Sequence, residues 1–285
     1  MKVLIIQENG HHDANRNYRE CFSLQRAFVS LGHDCSVWGN LHPNYDQTPD
    51  FNSYDIIMDI ENNNPEWIPY ELIRETTKPI KYLWAIDAHL IPPDKFEQRY
   101  QMGKFHKLLH STIDYVKDTH HLWFPNGYDD QLISKGTTEK KSFMGYCGSL
   151  GSPERTDLVN YISDEFQAKI DINVLGNDMV KAIQTYVIHF NKNIKNDLNY
   201  RNFETIGCGT VLLSDKNKQY ELLGFVDGEN CILYDNKEDM KSKVMYYAKN
   251  VEKLREIAEN GYQLSKQHTY LDRVQKLLGL TEDII

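Results

Sequence analysis

The amino-acid sequence predicts an α/β fold: two Rossmann-like domains in tandem, facing a cleft. Short apolar runs alternate with helix-periodic segments along all 285 residues, the order expected of parallel strands joined by right-handed crossovers. The polar stretch Lys135–Lys141 separates the runs into two sets. The length also suits two domains of ordinary size. The expected organisation is a first domain over 1–138, a second over 139–265, and a C-terminal helix over 266–285 that crosses back to pack on the first.

Val3-Leu4-Ile5-Ile6 is four apolar residues after a lysine. That suits a first buried strand and falls far short of a signal or membrane span. Asn9-Gly10-His11-His12-Asp13 follows as a polar loop. Cys21, Leu24, Phe28 and Leu31 then recur at helical spacing until Gly32 stops the stripe. Cys35–Trp38, Asp55–Ile60, Ile80–Ile86 and Lys107–His110 are the next strands. The long, turn-prone Asn40–Asn52 loop between the first two of these suits an acceptor-facing flap. His120-His121 precedes a strand and is expected to flank the hinge, and Trp123–Gly127 closes this half. Ser142–Gly148 opens the second half, with a helix from about Pro153, a good first-turn residue. Ile170–Leu175, Tyr186–Phe190, Thr210–Ser214 and Cys231–Tyr234 are its later strands. Leu254, Ile257, Ala258, Gly261 and Leu264 form one helical face; Leu271, Val274, Leu277 and Leu278 form another.

Composition narrows the function. A net charge of -9 argues against a surface-wide nucleic-acid footprint. A local patch from Lys95, Arg99, Lys104 and Lys107 could still hold a DNA backbone. The five cysteines are scattered and odd in number, without a CxxC pair, and so are expected as buried thiols of a reducing compartment. No stretch approaches 18 apolar residues, which gives the expectation of a cytoplasmic protein without a membrane span. Tyr45, Tyr70, Tyr100 and Tyr128 lie on polar segments where a ring could stack on a sugar or base.

The densest signal is Asn199–Asp215, NYRNFETIGCGTVLLSD. Arg201 stands three residues ahead of Glu204 on a helical turn, a Gly-x-Gly break follows, and Val211-Leu212-Leu213 is a buried strand. An Arg, a helix N-terminus and a carboxylate in one turn can hold a phosphate and a ribose together. Arg201 could equally be a surface or interdomain salt-bridge residue, and Glu204 a carboxylate that only complements the helix dipole. The segment resembles the donor-site motif of GT-B glycosyltransferases, R-x-F-E-x-x-x-x-G-x-x-L-L-x-D. Tyr220-Glu221-Leu222-Leu223, Asp227-Gly228-Glu229-Asn230, Leu233-Tyr234-Asp235 and His268-Thr269-Tyr270 with Arg273 continue the resemblance. It runs from about Phe143 to Leu278 and is closest to the spore-maturation-protein-like branch, among the group 1 glycosyl transferases.

That resemblance implies a GT-B fold and transfer of a sugar from a nucleotide-diphosphate sugar, with no cofactor beyond the donor. Arg201 and helix amides would neutralise the departing diphosphate, and Glu204 would accept from the ribose hydroxyls. Asn196 occupies the first position of the family's Glu-x7-Glu signature, which leaves retaining or inverting stereochemistry open. Asn202 completes the donor turn, and Gly148 with Ser149, in GYCGSLG, would approach a phosphate. Arg155 is a lesser candidate for phosphate contact. No Asp-x-Asp triplet is present to carry a divalent ion, so transfer is expected to be metal-independent. The first half is expected to supply the acceptor and a general base from His11, His12, Asp87 or His89. His11-His12, adjacent on a loop with no Cys or further His nearby in sequence, is poor metal-ligand spacing, and Asp87 could instead simply cap the next helix. The acceptor is open among a glycan, a metabolite, a protein and a modified DNA base. A nucleotide-sugar epimerase or hydrolase on the same fold, which would need a carboxylate cluster, and a non-catalytic nucleotide-sugar-binding protein remain as alternatives.

Overall fold

The computed structural model describes residues 1–62, 64–137 and 139–282. Thr138, where the first domain was expected to end, lies outside the described residues. The chain forms two compact units, Met1–Asn126 with Tyr270–Ile285, and Gly127–Thr269.

The first unit is built on β1 (Lys2–Ile6), α1 (Glu20–Ser30), β2 (Asp34–Trp38), β3 (Ile56–Ile60), α2 (Tyr70–Glu75), β4 (Ile80–Ala85), α3 (Pro93–Gly103), β5 (Lys107–His110) and β6 (His121–Trp123). The strands form one parallel sheet in the order β2-β1-β3-β4-β5-β6. Val3, Leu4, Ile5 and Ile6 are all fully buried, as an apolar run must be when both faces of a strand are covered. On one face Val3, Ile5, Met58, Tyr82 and Trp84 pack with Leu24 and Phe28 of α1 and with Tyr270, Val274 and Leu277 of the C-terminal helix. On the other, Leu4, Ile6, Ile57 and Leu83 pack with Trp38, Ile73 and Phe96.

The second unit comprises β7 (Ser142–Gly148), α4 (Pro153–Phe166), β8 (Lys169–Ile172), α5 (Gly176–Thr185), β9 (Tyr186–Asn191), α6 (Tyr200–Gly207), β10 (Val211–Asp215), α7 (Gln219–Leu222), β11 (Ile232–Tyr234), α8 (Lys237–Ala248) and α9 (Val251–Ser265). Its parallel sheet has the order β11-β10-β9-β7-β8. Phe190, Val211, Leu213 and Ile232 are buried against Ile162, Met240, Val244 and Ile257 from the covering helices.

Most strands fall where the apolar runs predicted, with differences at their ends. The run expected over Ile170–Leu175 stops at Ile172. Asn173 turns to φ +55, which ends the extended chain, and Leu175 becomes the N-cap of α5. His121 lies inside β6 rather than before it. The five thiols are all buried, with Cys21 and Cys35 each raised to about 12 by burial.

The four tyrosines on polar stretches make packing contacts within the fold. Buried Tyr70 donates to Asp59 Oδ2 at 2.9 Å, and buried Tyr128 is hydrogen-bonded to Ser265 Oγ at 3.0 Å. Tyr100 stacks on His120 and Tyr45 on Trp38. The loop expected as a flap is likewise pinned: Asn44 donates to the Val37 carbonyl at 3.0 Å, and Phe51 is buried. No described helix is long and apolar enough to cross a membrane.

Arg273 ties the C-terminal helix to the segment that leaves β6. It is 2% exposed, and its guanidinium donates to the Pro125 carbonyl at 3.0 Å and to the Asn126 carbonyl at 3.1 Å. Burial lowers its pKa to about 10, still charged at neutral pH. Arg273→Ala strands buried carbonyls and should cost about 3 kcal/mol. Urea unfolding followed by tryptophan fluorescence, where a midpoint equal to wild type would contradict the role, measures it.

Candidate active site

In parallel α/β sheets ligands bind beyond the carboxyl ends of the strands, so each unit has one edge to consider. In the second unit β9 leads through residues 192–199 into α6. Asn199 caps that helix, its side chain accepting from the Arg201 amide at 3.1 Å, which satisfies one of the orphan first-turn donors. One turn on, Arg201 Nη1 donates to Glu204 Oε2 at 2.6 Å. The two side chains are 15% and 8% exposed, so Arg201 is not the surface salt-bridge residue that its spacing also allowed. Burial opposes the charge on Arg201, but Glu204 together with Tyr200, Cys147 and Cys208 raises its pKa overall. The Gly-x-Gly break ends the helix: a Cβ at Gly207 would meet the Tyr128 ring at 2.6 Å, and Gly209 sits at φ +68, a left-handed conformation that favours glycine.

A buried polar network fixes α6 on the sheet. Asn202 is fully buried. Its Oδ1 accepts from Asn191 Nδ2 at 2.9 Å and from the Tyr220 hydroxyl at 2.7 Å, while its Nδ2 donates to Asn193 Oδ1 at 2.8 Å and to the Asn199 carbonyl at 2.9 Å. All four bonds the amide can make are therefore filled. This corrects the expectation of a donor contact for Asn202; it positions the helix that carries Arg201 and Glu204. His189 holds the same helix from below. The Cys147 amide donates to its Nε2 at 3.1 Å, so Nδ1 carries the proton and donates to Thr205 Oγ1 at 2.7 Å. Thr205 in turn donates to the Arg201 carbonyl at 2.6 Å. Burial, then the Arg201 charge, lowers the His189 pKa well below its ordinary value and keeps the ring neutral.

The neighbouring loops gather at the same edge. Gly148 ends β7 and Ser149 is exposed just beyond it. Arg155, the lesser candidate for phosphate contact, is buried: its guanidinium donates to the Ser149 carbonyl at 3.2 Å and the Lys192 carbonyl at 2.9 Å, joining the loops after β7 and β9. Lys192, which sequence reading missed, follows β9 directly, with Nζ 2.9 Å from Asp215 and 3.2 Å from Glu154. Asn196 is exposed, and its carbonyl accepts from Asn217 Nδ2 at 2.9 Å. A cavity of about 630 Å³ opens beside this edge, lined by Lys216, Asn217, Lys218, Tyr220, Glu221, Phe225, Val226, Asp227 and Leu233. Arg201 and Glu204 are not among its lining residues.

The edge of the first unit is rich in carboxylates. Glu61, directly after β3, accepts from the Ile86 and Asp87 amides at 2.8 and 2.7 Å through Oε2. Burial and then the Asp87 charge raise its pKa to about 8. Asp87 is raised to about 6 by burial and by Glu20, and Glu20 accepts from Gln7 Nε2 at 3.1 Å. Asp59, raised to about 7 by burial, sits one layer deeper against Tyr70 and Asn62. His89 is buried at this edge, whereas His11 and His12 are exposed on the β1–α1 connection. Glu61 and Glu20 were not singled out by sequence. The signal for Glu61 was its position, the first residue after a buried parallel strand.

Glu61 makes stability depend on pH. Its folded-state pKa of about 8 lies above the ordinary 4.5, so the folded chain holds a proton that the unfolded chain releases. That contribution is complete below pH 4.5 and is lost as pH rises through about 8. Glu61→Gln should therefore gain stability relative to wild type between pH 5 and 8. Paired urea melts across that range test it, and a pH-independent difference would contradict it.

Comparison with known proteins accords with this geometry. Residues 151–279 match the family described as glycosyl transferase-like. No curated protein is matched by the sequence. Solved structures similar to the chain include HepE of Anabaena in complex with UDP-glucose, at 9% identity and TM-score 0.67 with all of both chains covered. An alpha-glucosyltransferase in complex with UDP and a 13-mer DNA shares 10% identity at TM-score 0.69, with 99% of each chain covered. A beta-glucosyltransferase described as a DNA modifying enzyme shares 14% identity at TM-score 0.69, covering 99% of this chain and 100% of its own. At these identities the likeness establishes the fold. The chain has the two Rossmann-like domains of the GT-B glycosyltransferases, and its residues 151–279 carry the glycosyl transferase-like sequence.

Proposed function

We propose that the protein transfers a sugar from a nucleotide-diphosphate sugar, with a uridine nucleotide as the first donor to test, to an acceptor hydroxyl. The observation that carries this reading is the Arg201–Glu204 ion pair, mostly shielded from solvent on the first turns of α6, within the segment that matches the glycosyl transferase-like family. Structural neighbours solved with UDP or UDP-glucose support the choice of donor.

In this reaction the bond between the anomeric carbon and the diphosphate oxygen breaks, and its electron pair leaves with the diphosphate. The acceptor oxygen forms the new bond and gives its proton to a base. Charge grows on the diphosphate as the bond breaks, and the sugar takes on oxocarbenium character, as in glycoside hydrolysis. Arg201 and the first-turn amides of α6 would supply the positive field that stabilises that growing charge. Glu204, held in place by Arg201, suits the ribose hydroxyls. Gly148 and Ser149 form the neighbouring turn where backbone can approach a phosphate, and Asn196 lies on the loop that would lie nearest the sugar. Asp87 is the favoured base, because burial and Glu20 raise it to about 6, within reach of neutral pH.

The acceptor class follows less directly. A glycan, a metabolite, a protein side chain or a modified DNA base each offers a hydroxyl, and the net charge of -9 does not favour DNA. Water is a further acceptor: the Glu20, Glu61 and Asp87 carboxylates supply the cluster that a nucleotide-sugar hydrolase would need. Nucleotide release in the absence of any acceptor, at the rate seen with one, would favour hydrolysis.

Arg201→Ala should lower kcat about a hundredfold, the scale of one removed charge-stabilising donor. Glu204→Ala should act mainly through KM, since ribose contacts change little during reaction. Asp87→Asn should abolish transfer while leaving nucleotide binding intact. Steady-state kinetics and calorimetry read all three, and wild-type affinity and rate in both Arg201→Ala and Glu204→Ala would remove the donor from this edge. Transfer should also proceed without added magnesium or manganese. A reaction silent until manganese is supplied would overturn metal independence.

A further inference from the structure

We infer that the first unit carries a binding site for a divalent transition metal of the zinc type, built from Glu97, His120 and His121 and separate from the residues of the proposed transfer. Glu97 projects from α3, His121 opens the edge strand β6, and His120 directly precedes it. Their ligand atoms all lie within 4.8 Å of one another. His120 Nε2 is 3.3 Å and His121 Nε2 3.4 Å from the same Glu97 oxygen. These separations match the edge of a ligand tetrahedron around zinc, about 3.3 Å for metal–ligand bonds of about 2.0–2.1 Å.

At His121, Nδ1 lies 2.9 Å from the Tyr115 carbonyl and 3.3 Å from the Lys117 amide, contacts that orient the ring with Nε2 toward Glu97. A backbone carbonyl beside the other ring nitrogen is how metal-binding histidines are commonly oriented. Glu97 is steadied in the same way, accepting from Gln101 Nε2 at 3.0 Å through its other oxygen. Tyr100 stacks on the His120 ring at 4.7 Å.

A second observation points to the same place. His110 is 2% exposed, and neither of its ring nitrogens has a hydrogen-bond partner among the described residues. Its ring lies 4.8 Å from that of His121. A buried imidazole with both nitrogens unsatisfied is costly and calls for an ion or ordered water nearby. An ion at the Glu97–His120–His121 apex, with its bound water, supplies one. His120 and Glu97 are 27% and 39% exposed, which leaves a path for entry and a position for that water. Two imidazoles and one carboxylate suit zinc, cobalt or nickel rather than magnesium or calcium.

The test is calorimetric titration of untagged, metal-stripped full-length protein with zinc chloride, repeated with cobalt chloride while visible absorption is recorded. One equivalent of zinc should bind, cobalt should develop d–d bands, and magnesium should give no heat. Glu97→Gln and His120→Ala, both at partly exposed positions that spare the core, should each weaken zinc binding about tenfold to a hundredfold. His33→Ala, on another part of the unit, should bind as wild type. An absence of zinc heat in the wild type would reduce the cluster to histidine–carboxylate hydrogen bonds and overturn the proposal. Equal affinity in Glu97→Gln and His120→Ala would overturn it as well.

Discussion

The second unit depends on one buried side chain, Asn202. Its amide makes two donor and two acceptor bonds with Asn191, Asn193, Asn199 and Tyr220, drawing together the end of β9, the loop after it, α6 and α7. Buried polar groups are costly unless fully paired, and a completely paired network specifies one arrangement. The consequence reaches the surface. With α6 locked through Asn202 and through the His189–Thr205 relay, the Arg201–Glu204 pair is held at the strand ends without depending on its own flexible side chains. A group that must meet growing charge in a transition state gains most from such preorganisation.

The two units differ in the electrostatics of their edges. The second presents Arg201, Arg155 and Lys192, each paired with a carboxylate or bound to backbone carbonyls. The first gathers Glu20, Glu61 and Asp87, and burial, then their mutual repulsion, raises the pKa values of Glu61 and Asp87. Cations suit a diphosphate and poised carboxylates suit proton removal, so one chain holds both chemistries on separate scaffolds. The Glu97–His120–His121 cluster belongs to neither. It joins α3 to the edge strand β6, where an ion would brace a strand with a neighbour on one side only.

Much of the fold was legible because apolar runs in buried parallel strands leave a strong mark. Val3–Ile6, Lys107–His110 and Ser142–Gly148 needed only that pattern. The helix α5 escaped notice because Asn173 in a left-handed conformation cuts the preceding run, and a single residue's dihedral is not written in hydrophobic periodicity. Arg201 and Glu204 stood out because an i, i+3 pair on one helical turn is local and lies within a motif that resembles a known donor site. Asn202, Arg155 and Glu61 did not, or were given other roles, because their partners lie far along the chain: Asn202 meets Tyr220, Arg155 meets Lys192, and Glu61 meets Asp87.

A structure of the protein with UDP bound tests the central claim most directly. The account predicts the ribose hydroxyls within hydrogen-bonding distance of Glu204, with the diphosphate at Arg201 and the α6 amides. Nucleotide seated in the cavity lined by Lys216, Tyr220, Phe225 and Leu233, away from Arg201 and Glu204, would contradict it.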